Sequence, residues 1–138
     1  MEDLGRFVGA QDTDATYRRA IAELRAGRKR THWMWFVFPQ LLGLGSSPMA
    51  QRYGIASLDE AREYLAHPVL GPRLLEAGGI VADAGSDPIT LLGEVDALKL
   101  RSSMTLFELA DPAEPVFASV LDQLYDGERD HRTRTLLE

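Results

Sequence analysis

Asp96, Lys99 and Ser103 stand at i, i+3 and i+7, a spacing that stacks them on one helical face, with Ser102 alongside. A lysine paired with an aspartate one turn before it, next to hydroxyls, can hold a phosphate or a sugar. If buried, Asp96 can act as general acid or base in opening an N-glycosidic bond. The plain alternative is a surface ion pair worth about 0.3–0.5 kcal/mol. His32 is the second candidate for proton transfer. It is the one histidine of the three that adjoins the aromatic run, and an imidazole titrates closest to neutrality. Arg28 and Arg30 beside it suit a phosphate, although His32 can equally be a helix-start residue whose ring is satisfied locally.

These residues border the densest stretch of the chain, 28–55, in which Arg28, Lys29 and Arg30 lead into Trp33, Met34, Trp35, Phe36, Val37 and Phe38. Trp35 and Tyr53 offer rings for stacking on a planar ligand. Gln40, Ser47, Arg52 and Tyr53 bracket the bend Gly43-Leu44-Gly45-Ser46-Ser47-Pro48, whose backbone N–H groups can seat an anion at the start of a helix. No Gly-Lys-Ser/Thr follows the bend and no strand precedes it, so it is neither a Walker loop nor a dinucleotide fingerprint. His32, His67 and His131 are too dispersed for a metal site, and no calcium-loop pattern occurs; no metal or cofactor is expected. No serine lies in a nucleophile-elbow sequence.

The chain of 138 residues reads as one domain, 1–138, long enough to bury its own core. It has no cysteine, which removes disulfides, thiolate metal sites and cysteine nucleophiles. Its 45% apolar content is that of a folded protein. A net charge of -6 argues against nucleic acid as a partner. No apolar run approaches the ~20 residues of a membrane span, and the acidic start is unlike a signal peptide, so a cytoplasmic protein without a membrane partner is expected. Charge is uneven: six basic residues and one acid lie between Arg18 and Arg30, seven acids and one base between Glu108 and Asp130.

The elements that must position these groups read as helices. Residues 3–10 form a short one, and 14–26 a firmer one capped by Asp12 or Asp14 and stopped by Gly27. Residues 31–38 read as a short buried helix opened by Thr31, with Trp33, Phe36 and Val37 facing one way and His32, Trp35 and Phe38 nearer a second face. Ser47-Pro48 and Asp87-Pro88 each have the cap-then-proline form, and Ser57-Leu58-Asp59-Glu60 is a capping box. Residues 69–84 form a helix in which Gly78-Gly79 is a candidate kink. Helix 95–109 carries two apolar stripes, one starting with Val95 and Leu98, the other with Leu100, Met104 and Phe107, which predicts a central position. Helix 116–125 follows, and Asp130 caps a last one. The fold expected is all-α, a single compact domain of roughly seven to nine short helices packed at mixed angles.

The runs HWMWFVFPQLLGLGSSPMAQRYGI, SLDEAREYLAHPVLGPRL and DALKLRSSMTLF resemble the DUF1810 family, small, mainly helical proteins, over nearly the whole chain. A more distant likeness is to the NADAR family, helical proteins linked to hydrolysis of N-glycosidic bonds in ADP-ribose or riboflavin-pathway compounds. No NADAR catalytic motif lies residue by residue on this chain, so that likeness is one of fold. Two functions follow. One is binding, with or without hydrolysis, of a small phosphorylated nucleotide-like metabolite. The other is a non-catalytic module with an aromatic core and a protein partner.

Overall fold

The computed structural model describes residues 4–138, and every regular element among them is helical. The chain runs through α1 (Gly5–Asp12), a 3-10 turn (Thr13–Ala15), α2 (Thr16–Ala26), α3 (Met34–Val37) and α4 (Pro48–Tyr53). It continues through α5 (Leu58–Ala66), α6 (Leu70–Ala84), α7 (Pro88–Leu92), α8 (Glu94–Ala110), α9 (Pro115–Leu124) and α10 (His131–Leu137). Its accessible surface is 7084 Å². A folded monomer of this mass is expected to expose about 7,100 Å², so the helices close into a single compact domain.

Local chemistry starts most of these helices. Ser47, Ser57, Asp87 and Asp130 accept the N–H groups of Ala50, Glu60, Thr90 and Thr133, and Pro48 and Pro88 occupy first-turn positions. Glu60 completes its capping box one residue further out than usual. It accepts the N–H of Ala56 at 2.8 Å and pairs with Arg6 at 3.5 Å, which ties α5 to α1. Gly27 ends α2 in the left-handed region (φ 83), and its N–H reaches back to the last carbonyls.

Four local expectations are corrected. Neither Asp12 nor Asp14 caps α2: Asp14 and Ala15 are both left-handed (φ 53 and 56), and that turn takes the aspartate away from the N-cap position. Thr31 does not open α3, because its hydroxyl is bonded to Glu23 and the helix starts three residues later. Gly78-Gly79 does not kink α6. The helix runs through, and a Cβ on Gly78 would stand 2.9 Å from Val116 of α9, so this glycine is a place of close approach. The stripe that begins with Val95 and Leu98 faces outward only at those two residues, at 66% and 58% exposure; further along it Ser102, Thr105 and Leu106 are buried, as are Leu100, Met104 and Phe107 on the other stripe.

α8 is accordingly central, packed against α5, α7, α9 and α10, with α6 bracing α9, α5 and α2. A file of rings crosses the domain, Phe117–Phe107–Tyr64–Phe7–Tyr53–Phe36, with successive centroids 5.2–5.9 Å apart. It links α9, α8, α5, α1, α4 and α3. Phe38, expected nearer a second face, is 1% exposed and packs against Trp33 instead, with centroids 6.3 Å apart.

Candidate functional site

Residues 28–33 link α2 to α3 outside any helix, with a bend at Thr31 and His32, and exposure alternates along them. Arg28, Arg30 and His32 point out, while Lys29, Thr31 and Trp33 point in. Glu23 of α2 holds the segment in this register. Its carboxylate accepts the N–H groups of Arg30 (2.7 Å) and Thr31 (3.0 Å), the Thr31 hydroxyl (2.6 Å) and the Trp33 indole N–H (2.9 Å). Burial alone would raise the Glu23 carboxyl. The hydrogen bonds from Thr31, Arg30 and Trp33 outweigh it and hold the group at about 2.

That register brings Lys29 to the first turn of α8, where Asp96 stands between two ammonium groups. Its Oδ2 lies 3.0 Å from Lys29 Nζ and its Oδ1 3.2 Å from Lys99 Nζ, and all three side chains are less than one-fifth exposed. Each lysine also lies over a tryptophan, Lys99 at 3.7 Å from the Trp35 ring centroid and Lys29 at 5.3 Å from that of Trp33. The carboxylate cancels one charge of two, so the cluster keeps one net positive charge on an aromatic floor.

Trp35 and Lys99 form the boundary between two depressions. A recess of about 100 Å³ is lined by Lys29, His32, Trp33, Met34 and Asp96. A cleft of about 400 Å³ continues on the other side, with Gln40, Leu98, Arg101, Ser102, Asp130 and Arg132 among its walls. Arg101 is engaged with Glu128 and Asp130, whereas Arg132 reaches, among the described residues, only the Leu44 carbonyl, at 3.3 Å. The Gln40 amide and the His32 ring have no partner among the described residues.

The residues singled out in the sequence are therefore divided. Asp96, Lys99, Trp35, Gln40 and His32 come together around the two depressions. Arg52 and Tyr53 line a different cleft, of about 700 Å³, on the Phe36 side of α3, with the Arg52 guanidinium over the Tyr53 ring at 5.4 Å. Arg28 and Arg30 are exposed on the outer side of the segment between α2 and α3. Ser47 is exposed and its hydroxyl is spent on the cap of α4. Ser103 is fully buried and its hydroxyl has no partner among the described residues, while Ser102 lines the cleft with its hydroxyl on the Leu98 carbonyl. Lys29, Arg101 and Arg132 were not singled out. For Lys29 the sequence carries no signal that picks it out, since Arg28, Lys29 and Arg30 are three consecutive basic residues and only the fold decides which of them turns inward.

Residues 1–137 match the family described as a protein of unknown function, DUF1810. The chain belongs to this family. No curated protein matches the sequence. Among solved structures, the chain is similar to the conserved hypothetical protein Rv1873 from Mycobacterium tuberculosis, with 56% identity and a TM-score of 0.93. The likeness covers 98% of this chain and 96% of that one, so the helical arrangement is shared over nearly the whole of both.

Proposed function

We propose that this DUF1810 protein binds a small phosphorylated metabolite with a planar part, with Lys99 and Trp35 at the centre of the site. The observation that carries the reading is the Lys99 ammonium, pinned by Asp96 and held 3.7 Å above the Trp35 ring at the junction of two depressions. A phosphate is suited to the smaller recess beside Lys29, Lys99 and His32. A ribose or base is suited to the larger cleft, whose Gln40 amide is available for recognition. Arg132 adds positive charge at the far wall. Both oxygens of Asp96 are engaged by lysines, which suits it to positioning them. His32, exposed and without a partner among the described residues, is the group free to exchange a proton if an N-glycosidic bond is opened there.

A thermal-shift series with ADP-ribose, NAD, AMP, ribose 5-phosphate and inorganic phosphate tests the reading on the wild type and Lys99→Ala. A bound ligand adds RT ln(1 + [L]/Kd) to stability. The expected result is a concentration-dependent rise of the wild-type midpoint with AMP or ADP-ribose that Lys99→Ala lacks. Equal shifts in both proteins, or none in a cooperatively melting wild type, overturn it. Ligands that shift the midpoint then go into a hydrolysis assay with His32→Ala as the comparison.

A further inference from the structure

A separate cleft of about 640 Å³ lies between α1 and α2 on one wall and α6 on the other, and it shares no residue with the cleft of Trp35 and Lys99. Its floor is a built polar network. Gln11 is 1% exposed, and its amide nitrogen donates to the Phe36 carbonyl at 2.8 Å and the Tyr64 hydroxyl at 3.3 Å. The Gln11 oxygen accepts from Arg73 at 3.1 Å, and Arg73 also pairs with Asp12 at 2.8 Å and lies over the Tyr17 ring at 4.9 Å. The Tyr17 hydroxyl donates to one oxygen of Glu76, which ties α2 to α6. These groups satisfy one another and hold the two walls apart at a fixed distance.

What they leave over is asymmetric. Arg18, on the α2 wall, is exposed and its guanidinium has no partner among the described residues. Glu76, on the α6 wall, has its second carboxylate oxygen unused. Ile21 and the Tyr17 ring supply apolar surface between them. Arg18 and Arg73 are balanced by Asp12 and Glu76, so the cleft carries no net formal charge. A polyanion would meet two carboxylates, and a simple cation would leave Arg18 unmet. A small ligand that meets both free groups needs one charge of each sign.

We infer that this cleft binds a free α-amino acid, its carboxylate on Arg18, its ammonium on Glu76 and its side chain against Ile21 and Tyr17. An Arg–carboxylate contact is a charge-assisted pair that orients as well as attracts. The left-handed Ala15 at the edge of the cleft is backbone held in a disfavoured conformation where a ligand would lie. This site stands independently of the Lys99 reading.

Thermal-shift titrations with the standard amino acids, each beside its N-acetyl and its amide form, test it. At least one free amino acid should raise the midpoint saturably, and both blocked forms should bind roughly tenfold more weakly or worse, the equivalent of one lost charged contact. Arg18→Ala and Glu76→Gln should each weaken the free amino acid to a similar degree, while Lys99→Ala leaves it unchanged. Arg18 is exposed and unpartnered, so circular dichroism should show that variant folded. Failure of every free amino acid to shift the wild type, equal binding of the blocked forms, or loss of the response in Lys99→Ala overturns the inference.

Discussion

Glu23 converts the basic run into architecture. One carboxylate, 8% exposed, takes four hydrogen bonds from residues 30–33 and so decides which of Arg28, Lys29 and Arg30 reaches the interior. An unfolded glutamate titrates near about 4.3, and the folded group near about 2. The folded value is the lower one, so its stabilisation is complete above about pH 4.3 and is lost as pH falls through about 2. Glu23→Gln should therefore melt earlier at neutral pH, by roughly 1–3 kcal/mol of stability, and lose less on acidification. Melting curves between neutral and pH ~2 check it; parallel losses in the two proteins would contradict it. The choice of Lys29 over its neighbours was not legible in the sequence, because it follows from the contacts that residues 30–33 make with Glu23. Ser102 and Ser103 pose the same problem on α8. Both lie near the face of Asp96 and Lys99, but α8 is enclosed more fully toward its C-terminal half, so Ser103 falls inside the domain.

At the scale of elements, α6 separates two roles of glycine within one helix. A Cβ on Gly71 would stand 2.1 Å from the Leu65 carbonyl oxygen, against the backbone that ends α5, while one on Gly79 meets nothing within 4 Å. Gly71→Ala is expected to cost about 3 kcal/mol or more, because backbone must move. Gly79→Ala should stabilise by about 0.5–1 kcal/mol, since alanine restricts the unfolded chain and favours the helix. Chemical denaturation of the two variants checks both signs. The caps at Ser47, Ser57, Asp87 and Asp130 were readable because a cap is a contact between residues two or three apart. The Asp12 and Asp14 reading failed because two left-handed residues in sequence leave no mark in composition. Gly78-Gly79 read as a kink because the approach of α9 is tertiary and lies outside any local window.

Across the whole molecule, the file of rings from Phe117 to Phe36 joins six helices. The all-α reading succeeded because every long apolar stripe had a helical period. Among the described residues no helix is long and apolar enough to cross a membrane. Function was less legible, since the rings that form the file and the rings that line a cleft are the same residue types. Trp35 and Phe36 are neighbours in α3, yet they face different clefts, and Tyr53 follows Phe36. Trp33 is fully buried on Glu23, while Trp35 is half-buried at the Lys99 cleft. The two tryptophans therefore give separate optical signals.

The most direct test is a fluorescence titration with AMP of the wild type and Trp35→Phe, which keeps only the buried Trp33. A ligand bound at Lys99 and against the exposed part of Trp35 should change the wild-type emission saturably and leave that of the variant nearly constant. Saturable binding of AMP, established by calorimetry, with no change in wild-type emission would place the ligand elsewhere and contradict the central claim.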